Sequence, residues 1–460
     1  MKTFKVLLTV SLFSLGVGWF FPSGAQAELR DAVDVDWNGY YRVRAITIND
    51  VNGTDSGSTS FFQHRLRLAP TFNIMENVSV HVVGDVFNSP AFTSVDAACV
   101  AVSVDTNGDG VVNSEDCSNT GVFGSGGNIL SLDQDRDLLS IRRVYGEIKT
   151  AFGLWRMGRQ PSNWGLGVLT NDGDQLDDDF GDTADRIQWI GQFGDLYVSL
   201  LYEKLLENTL GDPSGADDAD DYVLAALYKQ ETYEGGLYFV FRKDPANETD
   251  IYIIDLYGRT QLLGGTLSGE LAYYTGETSD NNTLLYLGEC DVTASECKVR
   301  AINAVVRAEY PWSMWDFGLE VGLSRGDDTT TDTQVNSIGF NPDYDVAVIL
   351  FQNQAVAAGT QLGPVQNVWY AKPSATYNLT EQTGADVALI YGQLLSEGTA
   401  GGKQLGVEID AGLSHDLNSN VQVGFDVGHL FADKGLNYYT GNTGSPSQTT
   451  TVQGRFLFHF

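Results

Sequence analysis

The feature that most constrains the fold is the alternation of apolar and polar side chains in segments of about ten residues, which continues from residue 35 onward. From Leu405 to Leu413 every second residue is apolar, and polar residues or glycines stand between them. The same pattern runs from Val421 to Val427 and from Phe317 to Leu323. Successive side chains of a β-strand point to opposite faces, so these segments predict strands whose apolar residues, Leu405 included, face lipid and whose polar residues face the lumen.

The connections between these segments alternate between tight turns and long polar loops. Short turns are predicted near residues 75–78, 151–154, 192–195, 231–235, 263–266, 311–315, 379–384 and 417–420. Long loops are predicted near residues 49–59, 88–136, 162–184, 205–220, 279–297, 327–366, 395–404 and 433–450, with a shorter one at 244–250. This pattern is typical of an all-β transmembrane antiparallel barrel with short periplasmic turns and long extracellular loops.

Nine loops joined by eight turns predict 18 strands with both chain ends in the periplasm, and 16 or 20 strands remain alternatives. The apolar run 346–351 lies in the 327–366 loop and could hide two more strands. The two longest loops, 88–136 and 327–366, are the candidates for narrowing the pore.

The first 27 residues have the order of a secretory signal peptide. A basic start is followed by the apolar run Val6–Phe21 and by Ala25-Gln26-Ala27, which predicts cleavage before Glu28. The apolar run is short for an inner-membrane anchor. The sequence thus predicts a signal peptide at 1–27 and a single barrel domain at 28–460, integral to the outer membrane of a Gram-negative bacterium.

The last strand, Val452–Phe460, alternates and ends on phenylalanine. It resembles the signal that barrel-assembly machinery recognises. The expected partners are this machinery, outer-membrane lipid with lipopolysaccharide, and hydrophilic solutes, whereas nucleic acid is not expected.

Four cysteines, Cys99, Cys117, Cys290 and Cys297, occur in a chain that is expected to leave the cytoplasm. An even number of cysteines there predicts disulfides. Three pairings are possible, and the pairing of sequence neighbours, Cys99 with Cys117 and Cys290 with Cys297, is favoured. Because no CxxCH motif occurs, no haem is expected.

The segment Asp105–Asp116, between the first two cysteines, resembles a dockerin-type calcium loop. Oxygen ligands stand at positions 1, 3, 5, 7, 9 and 12, and Gly110 stands at position 6, where such loops turn sharply. The predicted ligands of Ca²⁺ are Asp105, Asn107, Asp109, the carbonyl of Val111, Asn113 and Asp116. A solvated turn without metal is the alternative.

The formal charge of −33 is concentrated in the loops. Four of them, near 88–137, 162–184, 205–221 and 327–366, hold 25 of the 60 carboxylates and one basic residue, Arg136. The sequence places these carboxylates outside the barrel wall. They predict solvated surface loops, bridging of divalent cations to lipopolysaccharide, or a gate at the pore mouth.

The wall itself carries a basic strip. An arginine at the lipid midplane would cost about 2 to 4 kcal/mol, so alternation places these residues in the lumen. The predicted pore-lining residues are Arg42, Arg44, Arg65, Arg67, Arg143, Glu147, Lys149, Arg159 and Arg186. Such a strip would attract anions. Alternatively it would brace the barrel through wall carboxylates, for which the candidates are Glu147, Glu309, Glu320, Glu408, Asp410 and Asp426.

Four segments, Arg143–Glu147, Met157–Gln160, Leu405–Asp410 and Gly428–Phe431, make the chain resemble the alginate-export family of porins. The resemblance implies an 18-stranded barrel whose charged lumen passes anionic solutes or polysaccharide. It also implies that Arg143 and Arg159 face the lumen.

The function expected from the sequence is therefore a channel for small, anionic, hydrophilic solutes. Export of an alginate-like polysaccharide, or a barrel that sheathes another protein of a multi-protein conduit, are the alternatives. An enzyme is not expected, because no histidine is placed at an outer active site. The five histidines are His64, His81, His415, His429 and His459.

Overall fold

A computed structural model describes residues 33–49, 57–89, 139–175, 177–207, 218–245, 248–278, 297–326, 333–352, 365–398, 400–440 and 443–460. These residues form one sheet that closes on itself, because β2 pairs with β3 on one side and with the last strand, β21, on the other. The strands are β1 (Asp34–Asp36), β2 (Gly39–Asn49), β3 (Ser58–Leu68), β4 (Thr71–Met75), β5 (Val78–Ser89), β6 (Leu139–Thr150), β7 (Gly153–Pro161), β8 (Thr183–Phe193), β9 (Leu196–Glu207), β10 (Asp218–Lys229), β11 (Tyr233–Asp244), β12 (Thr249–Leu262), β13 (Gly265–Thr278), β14 (Cys297–Trp312), β15 (Trp315–Ser324), β16 (Gln334–Val335), β17 (Val368–Thr380), β18 (Thr383–Leu394), β19 (Gln404–Asn418), β20 (Val421–Ala432) and β21 (Thr449–His459). A 3₁₀ turn (Lys434–Leu436) and a short helix α1 (Asn437–Thr440) precede β21.

The wall of the barrel has 18 strands, which confirms the predicted number. β1 and β2 form one broken wall strand, and β3 and β4 form another, since β1 pairs with β4 while β2 pairs with β3. Pro70 stands at the break between β3 and β4 and has no N–H group to donate to a ladder. β16 has only two residues and lies in a loop.

Consecutive wall strands are joined by eight tight turns at one end of the barrel, here called the turn end, and by nine longer connections at the loop end. The turns occur where the sequence predicted them. In the described part of 327–366, the run 346–351 adds no strand to the wall. No helix among the described residues is long and apolar enough to cross a membrane.

The outer face of the wall is apolar, and the inner face is polar and charged. Residues paired across neighbouring strands share a face, and Ile409 and Phe425 are examples of apolar side chains that are about half exposed on the outside. Arg44 and Arg65 are examples of side chains buried inside. Alternation was therefore the right guide to the two faces.

The prediction that Leu405 faces outward was wrong. Gly392 pairs with Gly406 and Gln393 with Gln404, so Leu405 is an extra residue between the two pairs. Such a bulge reverses the alternation locally. Leu405 is consequently fully buried in a cluster inside the barrel.

We predict that Gly39→Ala destabilises the seam where the sheet closes. Gly39 exchanges two main-chain hydrogen bonds with Phe460, both 3.1 Å long, and an added Cβ would lie 2.7 Å from the Phe460 ring. Overpacking of this kind costs about 1 to 3 kcal/mol. The measurement is the temperature at which the folded barrel loses its electrophoretic mobility in detergent. Gly146→Ala is the control, because a Cβ there meets no atom within 4 Å, and equal melting of both variants would contradict the prediction.

Candidate functional site

Two loops fold from the loop end into the barrel. The acidic loop comprises residues 162–182 without Leu176, between β7 and β8, and the apolar loop comprises residues 333–352, between β15 and β17. The second of these lies within 327–366, which was predicted to narrow the pore because of its length, whereas the first was not among those two candidates. The other candidate for narrowing the pore, 88–136, lies almost wholly outside the described residues.

Apolar contacts seat both loops on the inner face of the wall. Leu350 of the apolar loop is fully buried in one cluster with Tyr370 and Ile390, which belong to β17 and β18. Trp164 of the acidic loop packs in a second cluster against Tyr238 of β11, with ring centroids 5.2 Å apart. Hydrophobic packing therefore fastens both loops to wall strands on the side of the barrel away from the basic strip.

A wall carboxylate holds the start of the acidic loop. Glu270 of β13 accepts main-chain hydrogen bonds from Leu166, Val168 (3.1 Å) and Leu169 (3.2 Å). Gly165 has φ +58°, and a Cβ there would clash with the Glu270 carboxylate. The glycine thus lets the main chain curve around the carboxylate, and the carboxylate supplies acceptors that a buried loop would otherwise lack.

The apolar loop is held in the same way on another side of the barrel. Glu408 of β19 accepts hydrogen bonds from the main-chain N–H groups of Ile349 (2.7 Å) and Leu350 (2.6 Å). Asp410, two residues further along the inner face, accepts one from Val348 (3.1 Å). Glu408 and Asp410 were expected to brace arginines, but here they bind loop main chain.

Asp343 of the apolar loop joins the two loops to each other. Its carboxylate accepts main-chain hydrogen bonds from Asp179 (2.8 Å), Phe180 (2.9 Å) and Gly181 (2.5 Å) of the acidic loop. Asn341 adds a side-chain hydrogen bond of 2.6 Å to Asp182. The two loops therefore form one unit that is fastened to the wall at several places.

The predicted basic strip binds this unit from the other side. Arg42 and Arg44 donate to the carboxylate of Asp179 at 2.6 and 2.5 Å. Arg65 donates to the main-chain oxygens of Asp178 (2.7 Å) and Asp179 (2.6 Å). Burial raises the pKa of Asp179, but the positive charges of Arg44, Arg42 and Arg65 outweigh this effect and hold the pKa well below its usual range.

The strip continues along the next strands with further ion pairs. Arg67 bonds Asp85 at 2.7 Å and Asp174 at 2.9 Å, and Arg143 bonds the other oxygen of Asp174 at 2.8 Å. Arg186 on β8 bonds Glu203 at 2.8 Å. The structure thus brings six predicted arginines to the inner face, each with an anionic or carbonyl partner, and most partners belong to the acidic loop.

The inward arginines that were not predicted include Arg142, Arg156, Arg242, Arg307 and Arg455. Arg142 and Arg143 both point inward because the β5–β6 register shifts between Val83 and Gly84, and Arg142 donates to the main-chain oxygen of Phe180. Arg455 donates to Asp177 at 2.6 Å. Extending the alternation back from Phe460 would have identified Arg455, whereas a bulge leaves no signal in the sequence.

Three of the six wall carboxylates that were expected to brace arginines do so, and Asp85, Glu203 and Asp221, which were not predicted, do so as well. Among the described residues, Glu147 bonds Arg156 at 2.9 Å, Glu320 bonds Arg307 at 2.7 Å and Asp426 bonds Arg455 at 3.0 Å. Glu309 is exposed near the turn end.

The placement of Arg159 in the lumen was wrong. Arg159 pairs with Val144 and Asp185, which both face outward, and its side chain is half exposed on the outer surface. The inward positions of β7 belong to Arg156 and Gln160 instead. Lys149 lies at the exposed turn end of β6, away from the buried strip.

A buried group of carboxyls lies where the two loops meet. Burial, together with the charge of Asp343, raises the pKa of Asp178 to about 7. Burial also raises the pKa of Asp182 to about 6. A hydrogen bond from the Asn171 N–H lowers this pKa in part, and the charge of Asp343 raises it further. The described residues contain no group of three or more His, Cys, Asp or Glu residues that could hold a metal ion.

The predicted calcium loop at 105–116 and three of the four cysteines lie outside the described residues. Cys297 is fully buried at the start of β14 and is not a free thiol. Its partner and the calcium loop therefore stay predictions.

We predict that Asp343→Ala releases the acidic loop from the apolar loop. Three main-chain N–H groups would lose their acceptor, at a cost of about 1 to 3 kcal/mol for each group that stays buried. The measurement is the rate of amide hydrogen exchange at residues 179–181. Asp386→Ala is the control, because Asp386 is exposed on β18 and does not contact this loop. Unchanged exchange in Asp343→Ala would contradict the assignment.

We also predict that docking of the acidic loop weakens as pH rises from about 4 to about 7. Since the pKa of Asp178 is raised from 3.8 to about 7 in the folded protein, the folded state binds more protons than the unfolded state in this window. The midpoint of thermal unfolding is therefore expected to be higher at pH 5.5 than at pH 8. In Asp178→Asn, which cannot titrate, this difference is expected to shrink, and an equal difference in both proteins would refute the role of Asp178.

Neither a protein-family model nor a curated protein sequence matches this chain. Several solved structures share its fold. The outer membrane protein opdK from Pseudomonas aeruginosa has a TM-score of 0.52 at 10% identity, covering 92% of this chain and 99% of that chain. OccK9 (OpdG) from the same species has a TM-score of 0.55 at 11% identity, covering 93% and 99%. OccK2 (OpdF) in complex with glucuronate has a TM-score of 0.54 at 12% identity, covering 93% and 98%.

These likenesses show the fold, an 18-stranded barrel of the outer-membrane porin type. They support the general resemblance to porins and do not single out the alginate-export family.

Proposed function

We propose that this protein is a channel through which small hydrophilic solutes cross the outer membrane of a Gram-negative bacterium. The observation that carries the proposal is a closed 18-stranded barrel whose outside is apolar and whose charged interior is narrowed by two fastened loops. A barrel of this size encloses more space than its own side chains fill, and inward loops determine what can pass.

The outer surface supports the location in a membrane. On β20, the outward positions from Val421 to Phe431 carry no Asp, Glu, Lys or Arg. Ten residue steps at about 3.3 Å, tilted by about 40°, give an apolar band of about 25 Å, which matches the hydrophobic height of outer-membrane barrels. Trp312, Trp315 and Phe317 cluster at the turn end, as an interfacial aromatic girdle would. By the same pattern, the turn end faces the periplasm.

The chemistry of the lumen supports charged solutes, including anions. Eight arginines from β2, β3, β6, β8 and β21 face the acidic loop, and the similar barrel OccK2 binds glucuronate, a small carboxylate. These arginines are Arg42, Arg44, Arg65, Arg67, Arg142, Arg143, Arg186 and Arg455. Because loop carboxylates already neutralise most of them, the loop moderates the attraction that the strip would exert on anions alone.

Planar-bilayer recording of the refolded barrel tests the proposal. Stable single-channel conductance is expected, because an open path must connect the two ends of the barrel. A correctly folded barrel that shows no conductance would overturn the channel function and leave a closed barrel or a sheath for another protein.

We predict that Asp174→Asn and Asp177→Asn each increase the preference for anions. Their side chains are 48% and 42% exposed, and each partly neutralises arginines of the strip. One unit charge about 8 Å from a passing ion in water changes its permeability about two-fold. The reversal potential across a salt gradient measures this ratio. Asp250→Asn is the matched control, since Asp250 lies on the outer face of β12, and an equal shift in the control would contradict the role of the loop.

A further inference from the structure

The outer face of β7–β10 carries a continuous row of charged residues. Arg159, Asp185, Lys204 and Asp220 are successive cross-strand neighbours. Arg159 forms two hydrogen bonds to Asp185, at 2.8 and 2.7 Å, and Lys204 lies 3.1 Å from Asp220. Residues on either side of them in the chain, such as Arg186 and Glu203, are buried inside. We call these four residues the outer charged row.

This row lies unusually close to the turn end. Between the row and the turn end, the uncharged outward positions of β7 span four residue steps, from Gly153 to Met157. Those of β8 span six steps, from Ile187 to Phe193. β9 and β10 also offer six steps each. At about 3.3 Å per residue and a tilt of about 40°, the apolar band here is about 10 to 15 Å high.

The opposite side of the barrel is different. On β17, the uncharged outward positions run over ten steps, from Trp369 to Leu379, which corresponds to about 25 Å. The height of the apolar band, measured from the turn end, is therefore at least about 10 Å smaller on the β7–β10 side than on the β17 side. Acyl chains of ordinary length around those strands would meet charged side chains, at a cost of about 2 to 4 kcal/mol for a basic residue deep in the band.

We propose that the outer charged row is a docking surface for the phosphate-bearing headgroups of the surrounding lipid leaflet, which descend toward the turn end on this side of the barrel. Lys204 and Arg159 offer donors to phosphate oxygens, and Asp185 and Asp220 offer acceptors to the cations that accompany phosphates. Bilayers thin locally around short hydrophobic walls at modest cost. The surface thus fits a layer that contains both signs of charge.

The size of the surface favours lipid over a second copy of this chain. Four strands at about 4.8 Å spacing, over a missing height of about 10 Å, make a surface of about 200 Å². A stable protein interface needs about 800 Å² on each partner. Lipid headgroups need no such area, because each headgroup contacts only a few side chains and the bilayer as a whole holds the headgroups around the barrel.

Two matched cysteine variants test the proposal, which rests on the proposed membrane location. Ile187 on β8 and Leu389 on β18 both lie six residue steps from the turn end and are 50% and 44% exposed on the outer face. Ile187→Cys and Leu389→Cys are labelled with the same fluorophore. The full-length barrels are then inserted into vesicles of phosphatidylcholine and phosphatidylglycerol. Quenching is measured with aqueous iodide and with a lipid that carries a nitroxide at the middle of its acyl chain.

We expect iodide to quench the label at position 187 and the acyl nitroxide to quench the label at position 389. Adding Arg159→Met and Asp185→Leu to the first variant is expected to extend the apolar band and to shift its quenching toward the acyl nitroxide. Equal acyl quenching at both positions would overturn the proposal. A label at 187 that is shielded from both quenchers would also overturn it and would indicate a protein partner.

The conductance of the same vesicles separates this inference from the proposed function. If both labels are accessible to iodide alone and no conductance appears, the barrel is not inserted, and the proposed membrane location fails together with this inference. If the barrels conduct and both labels are in acyl chains, only the docking surface fails.

Discussion

Hydrogen bonds from loop main chain to buried carboxylates are the interaction on which the interior of this protein depends. The wall strands satisfy their own N–H and C=O groups, but a loop that packs against the inner wall buries polar main chain, which then needs partners within the protein. Glu270, Glu408 and Asp343 each accept two or three such N–H groups. Because these acceptors lie on β13, on β19 and in the apolar loop, the loops are held from several directions and form a fixed part of the lumen.

The basic strip and the acidic loop depend on each other for the same reason. Without the loop, closely spaced arginines on neighbouring strands would repel one another, and without the strip a buried Asp179 would have no compensating charge. Once they are paired, removing one partner is costly, because the other charge stays buried. The arginines of this barrel therefore position the loop as well as line the lumen. Of the two alternatives that the sequence left open, the structure shows bracing, chiefly through the acidic loop, and a path for solutes along the strip stays a prediction.

The wall could be predicted from the sequence because its rules are local. A period of two, tight turns and the absence of outward charges along strands such as β20 determine the number and faces of the strands. The course of the loops could not be predicted, since it depends on contacts such as Arg44 with Asp179, which are 135 residues apart. Bulges were a second obstacle: one turns Leu405 inward and another turns Arg142 inward, and neither changes the composition of its strand.

Strands β7 and β8 determine both the short apolar band on the outer face of β7–β10 and the point where the acidic loop enters the barrel. β7 ends at Pro161, and Arg186 of β8 holds the chain there by donating to Ser162 (2.6 Å) and to the main-chain oxygen of Pro161. The neighbouring residue of β8, Asp185, points to the outside and binds Arg159. Because alternation assigns Asp185 to the membrane side and Arg186 to the lumen, the register of this one strand determines both the surface offered to lipid and the position of the loop. A shift of one residue would place an arginine in the lipid and release the loop.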